Sequence, residues 1–106
     1  MITREEALEL LQEPGPEKHL IQHALASEAV MRALARHLEQ DEDIWGLTGL
    51  LHDIDYPLTH DDPARHGLVG ADRLNGILPE EALHAIRAHN GEMTGVQPES
   101  AFDYAL

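Results

Sequence analysis

Histidine and aspartate stand side by side at His52-Asp53, at the end of an apolar run from Ile44 to Leu51, and a second acid follows at Asp55. Neighbouring side chains on a helix point about 100° apart. An imidazole and a carboxylate in succession therefore converge on one atom only where a helix ends. Tyr56-Pro57 turns the chain away and sets such an end here. The atom that both groups would share is a metal, because imidazole with carboxylate suits Zn, Mn, Fe, Co or Ni rather than Ca or Mg alone. A lone His-Asp pair is weak ground for a metal site, so its weight depends on where the other histidines fall.

Three more histidines take inward or terminal places on separate predicted helices. From about Glu17 to Gln40, Leu20, Ala24, Ser27, Met31, Leu34 and Leu38 recur at helical spacing, with His23 at the margin of that stripe. Asp41-Glu42-Asp43 supplies acidic caps for a helix from Ile44 to about Asp53. Gly46 and Gly49 inside it suit a tight helix crossing under a metal site, or a plain packing contact. Asp55 to Asp62 reads as a loop. Asp62-Pro63 predicts a helix start, carrying His66 in the first turn and Gly70 one turn later, and ending at Asn75-Gly76. Pro79 opens the next helix, whose inner face is Ala82, Ile86 and His89; His84 falls on its far side, expected in solvent, and Asn90-Gly91 closes it.

At the ends, Thr3 and Glu6 form a capping box for a helix from Arg4 to Gln12. Glu13-Pro14-Gly15-Pro16 breaks it as a lid or spacer, and Pro98 to Leu106 begins another helix. The expected fold is all-α, a compact bundle of about five helices with a clipped sixth at the C-terminus.

Composition bounds the function. The chain has 106 residues, which implies one domain, residues 1–106, with one modest core. Apolar residues make up 42% and aromatic ones 4%, so the core is aliphatic. With no cysteine, any metal is held by nitrogen and oxygen. There is no run of eighteen apolar residues and no basic-then-apolar start, so no membrane partner is expected and the cytoplasm is the expected location. A formal net charge of −13 argues against a nucleic-acid partner, since phosphate contacts need clustered Lys and Arg. A small phosphorylated substrate stays open, because a local cation reverses the field inside a site.

Burying His23, His52, His66 and His89 as neutral groups in so small a core needs many specific hydrogen bonds, whereas a metal centre satisfies them together. His23 in a long helix followed by Leu50-Leu51-His52-Asp53-Ile54-Asp55 resembles the HD-domain superfamily of metal-dependent phosphohydrolases. His66-Gly-Leu-Val-Gly-Ala-Asp-Arg-Leu and Ala-Ile-Arg-Ala-His89-Asn resemble the segments that carry extra histidines in its two-metal members. The resemblance runs from about Leu20 to Asn90. It implies that His23, His52 and Asp53 hold a first divalent transition metal, and that Asp53 bridges to a second held by His66 and His89. The family's remaining ligand, an aspartate on a later helix, would fall after Leu106. The resemblance therefore implies a domain lacking the family's later helices, with that ligand's place taken by water or by an acid such as Asp103.

The implied chemistry is hydrolysis of a small phosphorylated molecule, a nucleotide or another phosphoester. One or two metals (Mn, Fe, Co, Ni or Zn) lower the pKa of a bound water and polarise the phosphoryl oxygens. Asp53 and Asp55 are the expected catalytic carboxylates, Asp55 by orienting that water or a ligand imidazole. Arg65 and His60 flank the entrance as candidate phosphate contacts. Two alternatives stand beside this reading: a degenerate, non-catalytic metal-binding or assembly module, and a di-iron oxygenase of the same fold. Finally, Ala101, Phe102, Ala105 and Leu106 start an apolar stripe that leaves a groove open beside the helices of His23 and His52. Burial lost there is expected to be recovered in a homodimer or larger assembly through the C-terminal segment, with Phe102 and Leu106 in the interface.

Overall fold

The computed structural model describes residues 2–12, 18–59 and 61–106, so Glu13-Pro14-Gly15-Pro16 and His60 lie outside the described residues. The fold is all-α. Along the chain run α1 (Arg4–Gln12), α2 (Lys18–His37), α3 (Glu42–Leu51), α4 (Tyr56–Thr59), a 3-10 turn (Pro63–Arg65), α5 (Leu68–Arg73), α6 (Glu80–Ala88), α7 (Gly91–Thr94) and α8 (Ala101–Ala105). Among the described residues there is no strand beyond an isolated bridge between Asn75 and Leu78. No described helix is long and apolar enough to cross a membrane.

The frame is the crossing of α2 on α3. A Cβ on Gly49 would stand 2.8 Å from the carbonyl oxygen of Ser27 and 2.8 Å from Cγ of Met31, so only glycine lets the two backbones approach this closely. Gly46 sits instead beneath the Arg32 guanidinium. Asp41 starts α3 by accepting the amide of Ile44 at 3.0 Å. On the inner side Leu50, Leu51, Met31, Ala35 and Ile54 bury against Leu74, Leu83 and Ile86. Cutting Leu50 or Leu51 back to alanine removes fully buried methyl groups, which costs about 2–5 kcal/mol in such a core.

Glu28 of α2 is only 5% exposed. Its carboxylate is met by Arg4 of α1 at 2.8 Å and by Arg32 at 3.2 Å, and Arg32 also reaches Asp43 of α3 at 3.0 Å. This network pins the first three helices together. A buried charge is tolerable only when paired in this way.

Several expected elements are corrected. Leu38, placed on the inward stripe, is 43% exposed because the helix has already ended at His37. The expected loop after Asp55 contains the short helix α4. The single helix expected from Pro63 to Asn75 is two pieces. His66 turns extended at ψ 126° and Gly67 takes φ +94°, which breaks the helix and leaves His66 in the gap. Gly91 begins α7 rather than closing α6. Phe102, expected at a subunit interface, is 5% exposed and stacks on Trp45 of its own chain at 4.8 Å. Leu106 is half-buried against the same core.

Candidate metal centre

Four ring nitrogens and one carboxylate meet at the ends of these helices. His23 comes from the second turn of α2, and its side chain is half exposed. His52 is the C-cap of α3 with Asp53 directly after it, so the helix ends where the adjacency of imidazole and carboxylate required. His66 sits between the 3-10 turn and α5, and His89 is the C-cap of α6. All five expected ligands are brought together, with Asp53 at the middle.

The two oxygens of Asp53 divide the histidines into pairs. Oδ2 lies 3.1 Å from Nε2 of His23 and 3.2 Å from Nε2 of His52. Oδ1 lies 2.9 Å from Nε2 of His66 and 3.3 Å from Nε2 of His89. Within each pair the nitrogens are also close, 3.3 Å for His23 and His52 and 3.2 Å for His66 and His89. The result is two triads that share one carboxylate.

The far sides of the rings decide what these contacts are. Nδ1 of His52 lies 2.6 Å from the carbonyl oxygen of Gly49, and Nδ1 of His89 meets the carbonyl oxygen of Ile86. A carbonyl only accepts, so both Nδ1 atoms carry the proton, and a neutral ring then turns an Nε2 lone pair inward. His66 follows the same logic. Thr59 donates its hydroxyl proton to the carbonyl of Asp55 at 3.0 Å, leaving its oxygen to accept from Nδ1 of His66 at 3.3 Å. At His52 and His89, and at His66 when it is neutral, lone pairs of nitrogen and oxygen therefore face one another across about 3 Å, an arrangement that a cation stabilises. An all-nitrogen-and-oxygen donor set of this kind fits a divalent transition metal in either triad.

Protonation is the competitor. Contacts with Asp53 and Asp55 raise the pKa of His66 to about 9 against the opposing effect of burial. Burial likewise opposes ionisation of Asp53, but the rings of His52, His66 and His89 hold its carboxyl far below the usual carboxylate range. A metal at Nε2 of His66 takes the place of a proton there.

Asp55 is 1% exposed and meets His66 on the Nδ1 side of its ring, opposite the nitrogen that faces Asp53. Its Oδ2 accepts the backbone amides of Gly67 at 2.7 Å and Gly70 at 2.8 Å. Its Oδ1, buried and without a hydrogen-bond partner of ordinary geometry, stands 2.7 Å from Nδ1 of His66. Of the two roles expected for Asp55, orienting a water or orienting an imidazole, the geometry matches the imidazole. Gly67 is required: a Cβ there would meet the Ile86 carbonyl oxygen at 2.8 Å, and its positive φ disfavours any side chain.

Sequence reasoning missed three supports. Thr59 is buried and bridges Asp55 to His66. The amides of Gly67 and Gly70 anchor Asp55. Asn90 donates from Nδ2 to the carbonyl of Pro63 at 2.7 Å and, at 3.4 Å, to that of His66, tying the end of α6 to the segment that carries His66. The spacing of the two glycines after His66 was the available signal for the anchor. Nothing marked Thr59 or Asn90 without the fold.

Two other placements are corrected. His84, expected in solvent, donates Nδ1 to Asp103 at 2.7 Å. Asp103 also accepts the amides of Glu99 and Ser100, so it is engaged between α6 and α8 and is not a substitute metal ligand. Arg65 is exposed in the 3-10 turn just before His66.

Comparison with known proteins follows the same segment. Residues 20–103 match the family model of the HD domain. The chain is 32% identical over 85 residues to Ribonuclease Y of Oleidesulfovibrio alaskensis, covering 79% of this chain and 16% of that protein. It is 33% identical over 78 residues to Ribonuclease Y of Salinispora tropica, covering 72% of this chain and 13% of that protein. The chain thus spans less than a fifth of the length of these relatives. No solved structure gives a significant match.

Proposed function

The chain belongs to the HD-domain family, and from that premise we propose that it is a metal-dependent phosphohydrolase acting on a small phosphorylated molecule. One observation carries the reading: each oxygen of Asp53 faces two imidazole nitrogens, and the rings of His52, His66 and His89 are committed, through Nδ1, to other acceptors. His23, His52 and Asp53 would hold one metal, and Asp53, His66 and His89 a second. A divalent ion bound there supplies a water of lowered pKa and polarises phosphoryl oxygens.

The chain's own residues do the positioning. Backbone carbonyls at Gly49 and Ile86 hold two rings with Nε2 inward. Asp55 and Thr59 hold the third, so Asp55 is a positioning residue for His66. Hydrolysis adds water across the P–O ester bond: the water oxygen joins phosphorus and the departing alcohol takes the proton.

The names of the relatives favour a second substrate, an RNA phosphodiester. Charge weighs against it. The net charge is −13, and Arg4, Arg32, Arg36 and Arg87 are each paired with an acid of the chain. The test is a panel of nucleoside monophosphates, simple phosphomonoesters, a phosphodiester and a short RNA, assayed with added Mn, Co or Ni. Metal-dependent release of phosphate that vanishes in Asp53→Ala is expected. Cleavage of RNA alone would replace the small-substrate reading. Metal binding without any turnover would favour a non-catalytic module, and oxygen uptake with iron an oxygenase.

A further inference from the structure

Resting on the phosphohydrolase reading, we propose that the groove beside His23 and His52 receives the organic group of the substrate, and that this group is compact, uncharged and apolar. An alkyl or aryl substituent fits it, and a second phosphate or a flanking nucleotide does not. The groove encloses about 260 Å³ between α2 and the C-terminal residues, with Ala26, Ser27, Val30, Met31 and Leu106 in its walls.

Continuity with the metal centre is the first argument. His23 and His52 both line the groove, and their Nε2 atoms stand 3.1 and 3.2 Å from Oδ2 of Asp53. A phosphoryl group held by that triad would have its ester oxygen at the mouth. A larger cavity of about 360 Å³ lies on the other side, lined by Asn90, Val96 and Gln97, but it meets the centre only through His89.

Chemistry of the walls is the second. Among the described residues that line the groove, none is basic, and the Ser27 hydroxyl is the one polar side chain beyond the two imidazoles. An additional phosphate would enter with no cation to meet it, in a chain of net charge −13. Apolar side chains by contrast stand open beside the centre: Val30 is 57% exposed. The volume is below the ~300–1,000 Å³ of pockets that hold drug-sized ligands, which limits the occupant to something near a single ring.

The test compares benzyl phosphate with methyl phosphate, whose leaving alcohols are of similar acidity, on the full chain loaded with manganese. Apolar pockets discriminate by about 10–200-fold for one methylene, so kcat/KM should favour the benzyl ester by at least ~10-fold. Val30→Asp, a change at an exposed helix position, should cut that preference by roughly tenfold, mostly through KM. A preference near one, or a preference that Val30→Asp leaves in place, overturns the assignment.

Should no phosphoester be hydrolysed, the phosphohydrolase reading fails separately, and the groove is then judged by binding. Benzylphosphonate added to the metal-loaded chain should shift the amide resonances of Ala26, Ser27 and Val30 more than methylphosphonate does. Shifts at Val96 and Gln97 instead, or none, would contradict the groove. So would sedimentation showing a dimer that buries Ala26 and Val30, because a second copy of the chain would then be the occupant.

Discussion

Two aspartates in this chain sit beside histidines, and they are opposite cases. Asp103 has a fully buried side chain whose Oδ2 receives three donors: the amides of Glu99 at 2.8 Å and Ser100 at 3.3 Å, and Nδ1 of His84 at 2.7 Å. It completes the capping box of α8, and burial's penalty is outweighed by those amides and His84, which hold its carboxyl below the usual range. Asp53 is more exposed and touches four imidazoles, yet the rings of His52 and His89 have given their protons to carbonyls. At Asp103 one oxygen takes all three hydrogen bonds while Oδ1 stays buried without one, whereas at Asp53 the lone pairs of His52 and His89 face a carboxylate, which a cation stabilises. A carboxylate–imidazole contact is thus read by the second nitrogen of the ring. Where Nδ1 is free to donate to the acid, the pair is a structural link. Where it is already committed elsewhere, the pair is half of a metal site.

The largest expected effect follows from removing the shared carboxylate. Asp53→Ala should lose metal from both triads and bring hydrolysis below detection, as read by elemental analysis and phosphate release; retention of one tightly held metal would break the division into triads. Next is His66→Ala/His89→Ala, which should lose one metal per chain and keep the other. Loss of both, or of neither, would contradict two centres sharing Asp53. A smaller effect is expected for Asp55→Asn, which keeps the shape but weakens the hold on His66. Removing such an outer partner typically costs about 10–100-fold in metal affinity, measurable by competition with a chromophoric chelator.

The pH dependence sharpens the same contrast. His66, raised to about 9, carries a proton at neutral pH that a metal must displace. Loading the second triad at pH 7 should therefore release close to one proton, and its affinity should rise with pH until about 9, then level off. In metal-free protein the sign is reversed for stability. The raised pKa contributes fully below the ordinary histidine value near 6.5 and is lost as pH rises through about 9. A pH-stat titration showing no proton release would contradict the assignment of His66. The smallest effect on metal belongs to the other pair. Asp103→Ala should cost about 1–3 kcal/mol of stability through its orphaned partners and leave the metal content unchanged.

Much of this was legible in the chain. Periodicity and caps located α1, α2, α3 and α6 to within a few residues, because each buries apolar residues at helical spacing and because Thr3 and Asp41 cap α1 and α3. Three of the four histidines were legible for the same reason, since His23 falls beside the margin of such a stripe and His52 and His89 fall at helix ends. What failed was decided by tertiary contacts. The break at His66-Gly67 exists because Asp55 takes the amides of Gly67 and Gly70, a pairing across more than ten residues. The tie of His84 to Asp103 joins two helices whose approach no local pattern encodes. Phe102 looked free for a partner because its own partner, Trp45, lies on a distant helix.

The most direct measurement is nitrogen-15 NMR of the histidine rings as zinc is added. Resonances of Nε2 in His23, His52, His66 and His89 should move to metal-bound positions while Nδ1 of His52 and His89 stays protonated. Both ring nitrogens of His84 should stay where they were. Unchanged Nε2 signals in the four, or a shift at His84 as large as theirs, would contradict a metal centre built on Asp53.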